Sequence, residues 1–356
     1  MNEQRVLATL EQNRRRPPTF TAPWIDMSHG AGGKATHKLI EGLFLPALTN
    51  PALAPLSDAA LLSCGDVRLA LTTDAFVVRP LVFSGGSIGE LAVNGTVNDL
   101  AVCGATPLGL AAALVIEEGL ETAVLRREVE AMAAAATRAG IAIITGDTKV
   151  VERGKGDDLY IITTGVGLAD PLLCLSATAV RPGDKIICSG TLGDHGVAIL
   201  IARGDLDLEA EVLSDTRPLT PLVAALKTAA GPHLRFMRDP TRGGVGTLLN
   251  ELARDSGYGV AIWEETLPIR EVVHGACEIL GIDPLYVANE GKLLAVVAPE
   301  GAEAAVEALR GVSGGEEAAI IGEVCEEPAR MVLMHTQFGG TRMIDMLVGD
   351  PLPRIC

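Results

Sequence analysis

Apolar and polar positions follow two rhythms along the chain. "VRLALTTDAFVV" alternates with period two, as a half-buried strand that ends at a carboxylate does. "ATHKLIEGLF" and "AVLRREVEAMAAAATRAG" have helical spacing, the second closed by Gly140. Ser87 and Glu90 stand at capping-box spacing and predict a helix through "IGELAVNGTVNDLAV". "LGLAAALVI", "IAIITGD" and "LYIITTGVG" read as strands. The Arg-Pro-Gly-Asp turn in "ATAVRPGDKIICSG" then opens a second unit. In it the strands "DKIICSG", "GVAIW", "LLAVVAP", "AAIIGEV" and "RMVLMH" alternate with helices near 194–203, 243–256 and 302–310.

The pattern predicts mixed α/β (α+β) layers, and 356 residues suit two domains. The expected division is a loose arm at 1–22, an N-terminal domain at 23–175, a C-terminal domain at 176–348 and a tail at 349–356. Two prolines and the lack of any period make that tail an extended, mobile arm. The longest uncharged run, Leu100 to Ile116, contains Gly104, Pro107 and Gly109 and is short for a membrane span. The polar N-terminus lacks the apolar stretch of a signal peptide.

Composition narrows the chemistry. Aromatics are only 3% against 48% hydrophobic residues, so the cores are aliphatic. A net charge of −16 repels phosphate backbones and argues against nucleic acid. Metal ions or local dipoles would have to offset that repulsion for any bound polyphosphate, and the excess carboxylate directs attention to Mg²⁺. Seven cysteines without CxxC spacing indicate neither a disulfide framework nor a zinc site, and fit a reducing cytoplasm. Six of them lie in apolar or mixed runs and read as small buried hydrophobes.

Four features carry candidate chemistry. The loop "SHGAGGKATHKLI" lacks the first glycine and the Lys-Ser/Thr pair of a P-loop. Its Gly30, Gly32, Gly33 and Lys34 can still offer N–H groups and charge to a phosphate. Asp58, Asp74, Asp99 and Asp239 stand at ends of elements, with Asn98 and Asp147–Thr148 as further contacts; several acids next to Gly and Thr at such junctions suit a Mg²⁺–phosphate site. Lys149, in "TGDTKVV", is placed to stabilise phosphoryl charge, and Glu290, before an apolar strand, to move protons. Cys356, in "PLPRIC", puts a thiol on a stiff tether. It stands at the last position, which excludes a prenylation signal.

"SHGAGGK", "GGSIGELAVNGTVNDLAVCGA", "AGIAIITGDTKVV", "SGTLGDHG", "RDPTRGGVG", "ANEGKLLAVV" and "PLPRIC", in this order, resemble the HypE family of hydrogenase maturation proteins. The likeness runs from about residue 25 to the last residue. It implies a PurM-like ATP-binding fold, with a ferredoxin-like or barrel-forming N-terminal half and an α/β C-terminal half, and a homodimer. The implied activity is ATP-dependent dehydration of an S-carbamoyl group on Cys356 to S-cyano, with Lys149 and Glu290 sharing charge stabilisation and proton transfer. The implied partners are the carbamoyltransferase HypF and the HypC–HypD complex, whose iron receives the cyanide ligand for [NiFe] hydrogenase. Selenophosphate synthetase shares the aspartates, but its glycine loop carries a reactive Cys or Sec that "SHGAGGKA" lacks. A tail-presenting scaffold would need neither the acids nor Lys149.

Overall fold

The computed structural model describes residues 19–204, 211–349, 352 and 354–356. Most of the expected arm at 1–22 lies outside the described residues. Two sheets divide the chain. The first contains β1 (Ala60–Cys64), β2 (Val67–Phe76), β5 (Ala105–Glu117), β6 (Ile143–Val151) and β7 (Leu159–Ala169), in the order β1-β2-β7-β5-β6. Neighbours are antiparallel except the parallel pair β5–β6. A small hairpin, β3 (Val82–Phe83) with β4 (Gly86–Ser87), leads into the first long helix.

The second sheet runs β14-β13-β10-β12-β8-β11-β9. Its strands are β8 (Lys185–Cys188), β9 (Leu234–Arg238), β10 (Gly259–Trp263), β11 (Leu294–Val297), β12 (Ala319–Cys325), β13 (Val332–His335) and β14 (Thr341–Ile344). β9 and β14 were not foreseen. β11 is buried along its length, as an unbroken apolar run requires.

Helix α1 (Lys34–Leu39) follows the glycine loop, α2 (Ile88–Val102) and α3 (Thr122–Ala139) cover one face of the first sheet, and Gly140 ends α3 at φ 70°. The second unit adds α4 (Asp194–Arg203), α5 (Thr220–Ala230), α6 (Gly244–Ser256), α7 (Glu271–Leu280) and α8 (Pro299–Arg310). α2 begins after Ser87 as expected, but the capping box does not form. The buried Glu128 carboxylate accepts the Gly89 N–H at 3.1 Å, Glu90 pairs with Arg138, and the buried Ser87 hydroxyl has no partner among the described residues.

The two units share one core: Phe76, Ile88 and Leu91 cluster with Val197, Val273, Leu352 and Ile355. Helix α1 belongs spatially to the second unit, because His37 bonds Glu251 at 2.6 Å and the Lys34 N–H donates to Leu347 O at 2.9 Å. Two cysteines depart from expectation. Cys188 and Cys277 are buried, but Cys64 and Cys174 are exposed. Among the described residues no helix is long and apolar enough to cross a membrane.

Candidate active site

Four carboxylates converge where the two units meet. Asp58 precedes β1, Asp74 lies on β2, Asp99 on α2, and Asp239 directly follows β9. Oxygens of Asp58, Asp99 and Asp239 all lie within 4.8 Å of one another. The Thr72 hydroxyl is 2.8 Å from Asp99 Oδ2 and 2.8 Å from Asp58 O, and Thr96 donates to Asp74 Oδ2 at 3.3 Å. Together with Asp74 they line a cleft of about 400 Å³.

Burial raises the pKa of all four above the usual carboxylate range, and mutual repulsion adds to this most strongly at Asp99 and Asp239. Arg238 lowers Asp58, to which its Nε donates at 2.9 Å, and Arg242 lowers Asp74. An all-oxygen donor set held this close suits a hard divalent cation, whose charge would let the acids ionise together.

Glycines bring the surrounding loops close. Gly243 and Gly244 open α6 at φ 77° and 59°, and a side chain on Gly244 would strike Leu285 O at 2.5 Å. Gly32, at φ 79°, lies against the Arg242 backbone, which a Cβ would meet at 2.7 Å. The Arg242 guanidinium bonds Gly30 O at 3.3 Å. Gly33 is held by Leu347, and Lys34 is occupied by an ion pair with Asp345 at 2.6 Å.

Arg242 forms the wall between the acid cleft and a second cavity of about 360 Å³. Cys356 lines that second cavity, with Gly30, Tyr286 and Leu352. Residues 352 and 354–356 of the tail, expected to be mobile, are docked here. Val77 N–H donates to Cys356 O at 3.0 Å and Arg79 N–H to Arg354 O at 3.3 Å. Burial pushes the Cys356 thiol up to about 12, with Arg242 acting in the opposite direction.

Glu290 is 2% exposed, and its Oε1 has no hydrogen-bond partner among the described residues. Burial first, then the charges of Asp239, Asp215 and Asp74, raise its pKa well above the usual value, while Arg242 lowers it. Asp215 Oδ1 accepts the Glu290 N–H at 3.0 Å, Asp215 Oδ2 lies 3.2 Å from the buried Lys292, and Asn98 donates to Glu290 O at 3.0 Å.

Other residues singled out in the sequence lie elsewhere. Asn98 does not face the acids. Its amide is fully buried and used on Arg217 O, Glu290 O and the Leu219 N–H, so it ties elements together. Asp147, Thr148 and Lys149 lie on β6, the edge strand, with β5 and β7 between it and the strand of Asp74. Lys149 is exposed and donates to Asp147 at 2.6 Å, and the Thr148 N–H donates to the same carboxylate. Arg242 went unnoticed, although "RDPTRGG" was read for its aspartate. An arginine next to two glycines, three residues past a candidate ligand, was the available signal.

Two units meeting over an acid cleft define an AIR synthase related protein. That family's N-terminal domain matches residues 56–169 and its C-terminal domain 181–333. Within it, the chain belongs to the HypE family of carbamoyl dehydratases and is a carbamoyl dehydratase itself. It is 54% identical over 332 residues to carbamoyl dehydratase HypE of Azotobacter vinelandii, covering 93% of this chain and 97% of the relative. It matches a HypE–HypF complex at TM-score 0.83 and 45% identity, over 87% of this chain and 99% of that one. It matches HypE in complex with ATP at TM-score 0.79 and 45% identity, over 93% and 99%.

Proposed function

We propose that Cys356 carries the carbamoyl group and that dehydration takes place with the tail docked as seen here. The balanced reaction is Cys–S–C(=O)NH₂ + ATP → Cys–S–C≡N + ADP + phosphate. The carbamoyl oxygen is a poor leaving group. ATP, when bound with Mg²⁺, supplies the phosphoryl group that lets this oxygen depart as phosphate.

The chain's own residues have separable tasks. Asp58, Asp74, Asp99 and Asp239 would hold Mg²⁺ at the cleft. Arg242, facing both cavities, orients the carbamoyl oxygen toward the acids and stabilises charge on it. Glu290, buried with its Oε1 unpartnered among the described residues, takes the N–H protons. The tail makes the reaction intramolecular, an effect that reaches ~7–11 kcal/mol in ideal geometry. The observation that carries this reading is the shared Arg242 wall, which sets the Cys356 cavity against the acid cleft.

A thiol pushed up to about 12 is a poor nucleophile in the docked position. This supports a tail that is loaded outside the cavity, by HypF, and returns carrying its cargo. The known HypE–HypF complex supports that partner. Delivery of cyanide to the iron of a HypC–HypD complex, in the cytoplasm, completes the proposed path.

The face of the first sheet opposite α2 and α3 supports a homodimer. Leu71 and Leu168 are 42% and 41% exposed, while Ile144 and Val150 on edge strand β6 are 65% and 66% exposed. A second copy packed on this face and edge would cover these apolar side chains. Light scattering on Ile144→Glu tests this: a monomer is expected, and an unchanged dimer would contradict the interface. For the carrier itself, Cys356→Ala should keep ATP affinity within about twofold and lose all carbamoyl uptake. Uptake by that variant would remove Cys356 from the reaction.

A further inference from the structure

"SGTLGDHG" places one histidine that the acid cleft does not use. His195 lies in the first turn of α4 and is fully buried. Its Nε2 is 2.8 Å from the carbonyl oxygen of Ile355, one residue before the proposed carrier. Its Nδ1 is 2.8 Å from Ser214 Oγ, and the ring meets Phe83 edge-on at 5.5 Å.

These contacts fix the proton. A carbonyl can only accept, so Nε2 carries the hydrogen. Nδ1 of the neutral ring then accepts from the Ser214 hydroxyl, whose oxygen in turn accepts the Thr216 N–H at 3.2 Å. Burial and the Arg203 charge favour the neutral ring, against the Asp215 charge.

We propose that His195 is a positioning residue for the dehydration: its Nε2–H holds the Ile355 carbonyl and thereby seats the Cys356 side chain beside Arg242. This rests on the reading of Cys356 as the carrier. Other contacts hold the tail less selectively. Arg354 pairs with Asp157, which also accepts from the largely exposed Arg79, and Arg203 donates to Arg354 O. The Arg354–Asp157 pair is only part-buried, at 26% and 20% exposed, so water and salt weaken it more than they do a fully buried contact. Among the described residues, His195 is the one fully buried side chain hydrogen-bonded to the tail.

Residues 214–216 connect this contact to the base. Ser214 orients the ring, and the adjacent Asp215 accepts the Glu290 N–H at 3.0 Å. One short segment therefore sets both the tail and the proton acceptor.

The experiment compares His195→Leu with His195→Gln in the full chain. Leucine removes the donor, whereas the glutamine amide reaches about as far as Nε2. The readouts are the alkylation rate of Cys356, mapped to its own peptide, and turnover of the preloaded S-carbamoyl protein with ATP. His195→Leu should raise alkylation about five- to tenfold and lower turnover by a similar factor, the effect of losing one hydrogen bond to the docked state. Carbamoyl uptake and ATP affinity should stay within about twofold. His195→Gln should bring both alkylation and turnover most of the way back to the native values, which a purely packing role would not allow. Unchanged alkylation and turnover in a folded His195→Leu protein overturn the proposal.

If the leucine variant does not fold, nitrogen NMR of the native histidines decides. A neutral, Nε2-protonated His195 supports the contact, and a proton on Nδ1 contradicts it. Loss of carbamoyl uptake is a separate signal: uptake by Cys356→Ala sinks the carrier reading, whatever His195 does.

Discussion

Asp99 and Asp239 come from different sheet units, 140 positions apart in sequence, yet their carboxylate oxygens lie within 4.8 Å of each other. Neither unit alone holds the site. Docking of α2 against the loop after β9 creates it, and this placement underlies the predictions that follow.

Asp239→Asn and Asp99→Asn remove one of three crowded carboxylates. Without divalent cation, each should raise the melting temperature, because burial and like charge already push both pKa values well up. With Mg²⁺ and ATP, each should weaken binding about tenfold or more and shrink the ligand-induced thermal shift. Thermal scans with and without a chelator check both signs. A variant destabilised without metal, yet binding Mg-ATP normally, would contradict the metal role.

Glu290→Gln keeps the shape and removes the base. Turnover of the preloaded S-carbamoyl protein should fall by about 10²–10⁴, with ATP affinity nearly unchanged. Single-turnover kinetics separate the two quantities. Turnover near the native rate would assign proton removal to another group.

The docked thiol has its own pH signature. A free thiol, with the ordinary value of 9.0, levels off in alkylation above that pH, whereas Cys356 is pushed up to about 12. Its alkylation rate should therefore still be climbing at about pH 10. A plateau near pH 9 would place the thiol outside the cavity in solution.

His37 links the glycine-loop segment to α6. Burial would lower its pKa, but hydrogen bonds to Glu251 and Glu41 outweigh this and raise it from 6.5 to about 9. A raised histidine pKa contributes stability that is complete below 6.5 and disappears as pH rises through 9. Chemical denaturation should show a loss on the order of 1–3 kcal/mol across that window, absent in His37→Asn. The same slope in both proteins would assign the effect elsewhere.

Local pattern revealed whatever local physics dictates. The Thr122–Ala139 helix was legible because it combines strong helix formers with a closing Gly140. The apolar strand Leu294–Val297 was legible because it is buried on both faces. Leu234–Arg238 and Thr341–Ile344 were not, since each is short and carries arginine that reads as surface. Asp58, Asp74, Asp99 and Asp239 each stood out near the end of an element, Asp74 beside Thr73. Asp147 and Lys149 had an equally good local signal, yet within the single chain their edge strand leaves them exposed and far from the acids. Only the long-range packing separates the two groups. Arg242, His195 and Asp215 acquire their roles from neighbours more than forty residues away, which no local pattern records.

Intact-protein mass spectrometry tests the central claim most directly. The chain is loaded by the carbamoyltransferase in the absence of ATP, then given Mg-ATP. The expected result is one added carbamoyl group, mapped to Cys356, followed by loss of one water only after ATP is added. Loading at any other residue, or water loss without ATP, would contradict the account.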